Sequence, residues 1–170
     1  TLIYSLLRSE ASRHVPPGEA LKNVNQYLIH MNAQDVFVTI LCGILHCQTH
    51  RFSYARAGHL PAIIILPDGQ FQKEKIKPSS AIGIFDSLQI DEGEVRIPVS
   101  GALLLSSDGL SEATNVCNEQ FEEERLGAVL SEYHQQGPQE ICQHLWAAVQ
   151  DYCGGSEQQD DFTVIVIKRN

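Results

Sequence analysis

Several features that would assign a function class at once are missing from this sequence. No run of Lys or Arg occurs, and 12 basic against 21 acidic residues leave a formal charge of −9. Affinity for nucleic acid comes mainly from clustered Lys and Arg, so recognition of a phosphate backbone is excluded. No apolar stretch approaches the roughly 18 residues of a spanning helix, and no signal peptide opens the chain. A soluble, cytoplasmic domain without membrane contact is therefore expected. The nucleotide fingerprints GxGxxG and GxxxxGK[ST] are absent. So is any Ser/His/Asp or Cys/His set with a recognisable nucleophile motif. Cysteine is sparse and odd in number: Cys42, Cys47, Cys117, Cys142 and Cys153. In a chain large enough to fold without staples, that count favours reduced thiols over disulfides. A start methionine is lacking too, and the direct opening into Thr1-Leu-Ile-Tyr-Ser-Leu-Leu7 leads us to expect a piece of a larger protein.

What is present reads as one domain. The 170 residues, 43% hydrophobic and 19% charged, are ordinary globular composition. Leu2, Ile3, Leu6 and Leu7 have helical spacing, and Pro16-Pro17-Gly18 breaks the chain before a second helix. There Ala20, Leu21, Val24, Tyr27, Leu28 and Met31 form the apolar face. Strand-like runs follow at Val36–Cys42, Arg51–Arg56, Ala62–Leu66, Gln70–Glu74, Glu94–Ile97 and Ala102–Leu105. Pro67-Asp68-Gly69 is a hairpin turn between the third and fourth of these runs. Two more amphipathic helices then bury Leu126, Val129, Leu130 and Tyr133, and Ile141, Leu145, Ala148, Val149 and Tyr152. Gly154 closes the second of them. A last strand ends the chain. Two helices, about six strands, two helices and a strand are neither an alternating parallel α/β pattern nor all-β. The expected class is α+β, with helices packed on antiparallel sheet.

Two carboxylates stand at strand ends in this layout. Gly101-Ala-Leu-Leu-Leu-Ser-Ser-Asp-Gly109 delivers Asp108 to the end of an apolar run, and Asp160-Asp161 precedes the run Phe162–Ile167. If the two strands lie antiparallel, the end of one meets the start of the other, and Asp108 and Asp160 converge. Two carboxylates brought together repel unless a proton or a cation lies between them. Taken singly, Asp108-Gly109 is also an ordinary turn and Asp160-Asp161 a solvated acidic loop. Cys42, His46, Cys47 and His50 form a second cluster. Its spacing fits no closed zinc template well, and strand alternation sends Cys42 and His46 to one face and Cys47 to the other. His59, between glycine and proline, reads more readily as a turn or core residue than as a catalyst.

The ordered set Asp35-Val-Phe-Val-Thr39, Tyr54-Ala-Arg-Ala-Gly-His-Leu-Pro61, Ala81-Ile-Gly83, Leu105-Ser-Ser-Asp-Gly-Leu-Ser-Glu-Ala113, Phe121-Glu-Glu-Glu-Arg-Leu126 and Asp160-Asp-Phe-Thr163 resembles the SpoIIE/RsbU branch of the metal-dependent PPM (type 2C) protein phosphatases. The resemblance covers essentially the whole chain. It implies an α-β-β-α sandwich of two antiparallel sheets flanked by helices. It also implies two Mg²⁺ or Mn²⁺ ions and a metal-activated water that attacks phosphoserine or phosphothreonine, with no protein nucleophile. Asp108 and Asp160 match the family's metal-ligand positions; Gly109 gives the turn beside the metal, and Asp161 has a supporting role. Gly58, His59 and Pro61 match a structural motif.

The sequence departs from the family in two places. The family's Asp-Val-Ser/Thr-Gly-His-Gly type motif, whose aspartate bridges both metals, is absent from these 170 residues, so an N-terminally incomplete domain with impaired activity is expected. Glu122 stands where relatives usually carry glycine. The implied partners are a phosphorylated regulatory protein of the anti-sigma-factor-antagonist type, as substrate in bacterial signal transduction, and an upstream sensor or receiver domain. A catalytically inactive phosphatase-like domain that binds a regulatory partner is the alternative, and homodimer formation is left open.

Overall fold

A computed structural model describes residues 2–31, 36–155 and 160–170. Asp35, which opens the first matched segment, and the stretch 156–159 before Asp160 lie outside the described residues. The chain divides into two units: residues 1–61 with 75–96, and residues 62–74 with 97–170.

The first unit opens with helices α1 (Leu2–Ser12) and α2 (Pro17–His30), followed by strands β1 (Ile40–His46) and β2 (Arg51–Ala57). Strand β5 (Glu92–Arg96) joins them in an antiparallel sheet of order β1-β2-β5. Pro16 and Pro17 start α2, where a missing N–H does no harm. The orphan N–H of Gly18 is instead capped from a distance by Glu92 Oε1, at 2.7 Å. Leu21, Val24 and Leu28 of α2 bury against Ile40, Ala55, Ala57, Ile82, Leu88 and Ile90. Each such side chain contributes about 1.5–3 kcal/mol of hydrophobic stabilisation.

Two sequence expectations fail in this unit. Tyr27 and Met31, assigned to the apolar face of α2, are exposed, and Asn25 is buried instead. Burial of that amide is tolerated because both of its ends are used. Its Nδ2 donates to the Phe85 carbonyl at 2.9 Å, and its Oδ1 accepts from the Gly83 N–H at 2.8 Å. The strand expected at Val36–Cys42 is displaced to Ile40–His46 because β2 supplies partners only from Ala57 back to Arg51. Val36 and Phe37 are left in solvent.

The second unit holds β3 (Ile63–Ile65), β4 (Phe71–Lys73), β6 (Ala102–Ser106), helices α3 (Glu122–Tyr133) and α4 (Pro138–Cys153), and β7 (Val164–Lys168). The strands form an antiparallel sheet of order β4-β3-β6-β7. Pro67-Asp68-Gly69 makes the expected hairpin, with Gly69 at φ +84° and Asp68 Oδ1 accepting from the Gln70 N–H at 3.0 Å. Leu126 and Leu130 of α3, with Ile141, Leu145 and Val149 of α4, pack on Ile63, Ile65, Ala102 and Leu104. Gly154 ends α4 in the left-handed conformation that glycine adopts without penalty.

The departure at Glu122 has a structural meaning here. Glu122 has φ +55° at the start of α3, a backbone region that costs a residue with a Cβ about 1–2 kcal/mol. Glycine is free of that penalty, so the position favours glycine. Glu122→Gly is expected to stabilise the chain by about 1 kcal/mol, seen as a rise of roughly 2–4 °C in the thermal midpoint. An unchanged or lower midpoint would count against the strain.

Candidate metal centre

The β6–β7 register determines what meets at this end of the sheet. Ser106 pairs with Val164, and the ladder continues one step further, with the Ser107 N–H donating to the Thr163 carbonyl at 3.0 Å. Beyond that step the chains turn away, one through Asp108-Gly109 and the other out of Asp160-Asp161. The two acidic turns therefore lie side by side, as antiparallel pairing required. They press together at Gly109, where an added Cβ would stand 2.4 Å from the Asp161 carbonyl oxygen. Only glycine fits there.

Ser107 joins the two turns. Its hydroxyl donates to the Asp161 carbonyl at 2.8 Å and accepts from the Thr163 N–H at 3.0 Å. Asp161 thus takes part through its backbone, while its side chain is exposed. The carboxylates of Asp108 and Asp160 are each oriented by the next residue. Gly109 N–H donates to Asp108 Oδ1 at 3.1 Å, and Asp161 N–H donates to Asp160 Oδ1 at 2.7 Å. Asp108 and Asp160 are both exposed.

The loop after Asp108 is fixed at its far end by a residue that sequence reading placed only on an apolar helix face. Tyr152 of α4 donates its hydroxyl to the Gln120 carbonyl at 3.0 Å and accepts from Asn115 Nδ2 at 3.2 Å. Its ring meets Phe121 edge-on at 5.6 Å and carries the Arg125 guanidinium 4.4 Å from its centroid. Nearer the acid, the Asp108 carbonyl accepts from the Glu112 N–H at 2.8 Å.

The donor set offered here is carboxylate and carbonyl oxygen, the kind that hard divalent cations such as Mg²⁺ and Mn²⁺ prefer. In number it falls short, since among the described residues no three His, Cys, Asp or Glu side chains come together. The same observation removes the Cys42–His50 cluster as a closed zinc site. Cys42 is half-buried in β1, and burial pushes its thiol up, away from the thiolate that binds metal. The Ala57–Pro61 motif lies in the first unit as a backbone fixture. Arg56 donates to the His59 and Ile76 carbonyls at 2.9 and 3.2 Å, and Gly58 N–H donates to the Ser79 carbonyl at 2.9 Å. Among the described residues no helix is long and apolar enough to cross a membrane.

A sequence model of the family described as Stage II sporulation protein E (SpoIIE) matches residues 1–170. Among curated proteins, the chain is 25% identical over 159 residues to the phosphoserine phosphatase RsbU of Bacillus subtilis, with 91% of this chain and 46% of that protein covered. It is 28% identical over 159 residues to the protein IcfG of Synechocystis, with 89% and 24% covered. The chain thus spans less than half the length of either relative. Among solved structures, it superposes on the SiaA-PP2C domain of Pseudomonas aeruginosa with a TM-score of 0.81 at 22% identity, covering 99% of this chain and 70% of that one. On the PP2C phosphatase domain of the B. subtilis cell fate determinant SpoIIE, with a fragment of its regulatory domain, the TM-score is 0.76 at 20% identity, covering 99% and 49%. The fold is that of PP2C-type phosphatase domains, in the expected α+β class with antiparallel sheets and helices.

Gly109→Ala tests the packing at the centre. Its Cβ has only backbone to displace, so a loss of about 1–3 kcal/mol is expected in denaturant melts. A melt matching that of the unaltered chain would show that the two turns do not press together.

Proposed function

Because the chain belongs to the SpoIIE family, we propose that it is a metal-dependent protein phosphatase domain that hydrolyses phosphoserine or phosphothreonine on a small regulatory protein. The observation that carries this reading is the β6–β7 register, which brings Asp108 and Asp160 to one sheet end and presses Gly109 against Asp161. Similarity to a phosphoserine phosphatase supports the reaction class. In this reading residues 1–170 are a single domain in the C-terminal part of a larger signalling protein, preceded by a sensor or receiver module. The substrate is of the anti-sigma-factor-antagonist type and the setting is cytoplasmic.

Asp108 and Asp160 would hold Mg²⁺ or Mn²⁺. When bound, such ions supply an ionisable water at neutral pH and positive charge for the phosphoryl oxygens. The chain's own residues do the positioning. Ser107 locks the two turns together, the Gly109 and Asp161 N–H groups aim the carboxylates, and Tyr152 holds the loop that follows Asp108. With the family's bridging aspartate absent from residues 1–170, these residues alone are expected to hold metal weakly, since two carboxylates leave each ion short of charge.

A second reading, an inactive phosphatase-like domain that binds a regulatory partner, draws on the shortage of a third ligand among the described residues. One experiment separates the two. Manganese-dependent phosphate release from a phosphoserine protein is measured with a polypeptide extended upstream to include the bridging motif, and with its Asp108→Asn variant. A fall of at least about 100-fold is expected in the variant; equal release would sink the phosphatase assignment. No release from either polypeptide, with partner binding kept by both, would establish the inactive domain.

Mn²⁺ titration of residues 1–170 by calorimetry checks the weak-binding expectation. Tight binding would overturn it.

A further inference from the structure

The turn that carries Asp160 is tied to β6 by Ser107, and it has a second tether on its helical side. Phe162, Val164 and Val166 pack against the core cluster that contains Leu145 and Val149 of α4. The ladder bond to Thr163 continues the extended backbone past the start of β7, so the three form one row at the period of two that strands impose. Phe162 is the last of that row before the acidic turn. The indole of Trp146, on α4, meets the Phe162 ring edge-on, with centroids 5.0 Å apart and planes at 63°. Edge-to-face contact is a favoured arrangement of two aromatic rings, because the positive edge of one meets the negative face of the other.

Trp146 is the single tryptophan of the chain, and filling the core is not its task. It is 42% exposed, whereas Ile141, Leu145 and Val149 of the same helix are buried. Its ring contact with Phe162 gives that residue a hold on two sides. Ser107 fixes both flanking peptide groups, donating to the Asp161 carbonyl and accepting from the Thr163 N–H, and Trp146 holds the ring. The Asp161 N–H then aims Asp160 Oδ1 at 2.7 Å. Indole, ring, peptide and carboxylate are consecutive links from α4 to the acid. On the reading of Asp108 and Asp160 as metal ligands, we propose that Trp146 is a positioning residue for Asp160, acting through Phe162.

The bonds from Ser107 all converge on one residue of β6, so they resist a pivot of the turn about that residue poorly. Such a pivot carries Asp160 with it. A ring packed against an indole on a separate element opposes the pivot, since close-packed side chains transmit small displacements instead of absorbing them. Hard cations make the constraint matter. Mg²⁺ demands near-octahedral geometry, and the groups that orient a ligand contribute to affinity without touching the ion.

The test uses the polypeptide extended upstream to include the bridging motif, with Mn²⁺ as the probe. Binding is counted from the electron paramagnetic resonance signal of free Mn²⁺, and backbone amides are followed by hydrogen exchange without metal. Trp146→Ala is expected to weaken Mn²⁺ binding roughly 3–10-fold, the size of one aromatic pair. It should also speed exchange at residues 161–163 and leave residues 103–105 of β6 unchanged, which separates a loosened turn from a loss of global stability. Trp146→Phe keeps an aromatic edge and should restore both readouts. His144→Ala removes a different ring contact of α4, the stack on Tyr133 at 3.6 Å, and should leave both as they are. Unaltered affinity in Trp146→Ala, failed rescue by Trp146→Phe, or an equal loss in His144→Ala overturns the positioning role while the metal centre stands. No Mn²⁺ bound by the unaltered polypeptide, or binding indifferent to Asp160→Asn, overturns the metal centre itself and the positioning role with it.

Discussion

The candidate centre depends on one approach between backbones: Gly109 lying against the carbonyl of Asp161 at the end of the β6–β7 ladder. Sheet pairing alone aligns strands, yet it says nothing of the residues beyond the last ladder bond. Here the ladder is prolonged by Ser107, whose N–H and hydroxyl together engage Thr163 and Asp161. The first residue past the ladder on one side is therefore an aspartate, and it faces an aspartate-bearing turn on the other. The pairing is held by apolar strand residues such as Leu103 and Leu104, which are fully buried and independent of whatever neutralises the acids.

Burial explains which parts of this arrangement were legible in the sequence. Ala102–Leu105 and Phe162–Ile167 are apolar runs bounded by glycine or acid, and the structure forms strands there at Ala102–Ser106 and Val164–Lys168. The placement of Asp108 and Asp160 at a common end then followed from antiparallel pairing. The role of Ser107 is not legible in the motif, because a serine beside an aspartate is ambiguous until its partners across the ladder are known. Tyr152 was read as an apolar face residue, and its ring does pack on Phe121. Its hydroxyl bonds to Gln120 and Asn115 arise from a loop path that no local pattern encodes.

The errors in the first unit share a cause. Helical periodicity assigned Tyr27 and Met31 to the core and left Asn25 unassigned, since periodicity ranks residues by polarity and is blind to a distant carbonyl that will satisfy an amide. The strand at Val36–Cys42 was misplaced for a similar reason. Alternation and β-branching marked residues able to form a strand, whereas the available partner, β2, decided which ones did. Glu122 shows the same limit from the other direction. Glycine's usual presence there was visible as a departure, but the positive φ that explains it belongs to the backbone.

Ser107 and Asn25 perform one physical task with opposite outcomes. Each uses both hydrogen-bonding capacities of a small polar side chain to tie a loop to a neighbouring element. Around Ser107 the turns so held carry exposed aspartates, whose oxygens are of the kind a hard cation prefers. Around Asn25 the loop so held carries Ile84 and Phe85, whose exposure is unfavourable in water by roughly 1.5–3 kcal/mol per side chain relative to full burial. Nothing in the local packing compels that exposure, since Ile82, two residues away, is fully buried. The bonds of Asn25 thus hold Ile84 and Phe85 outward at that cost.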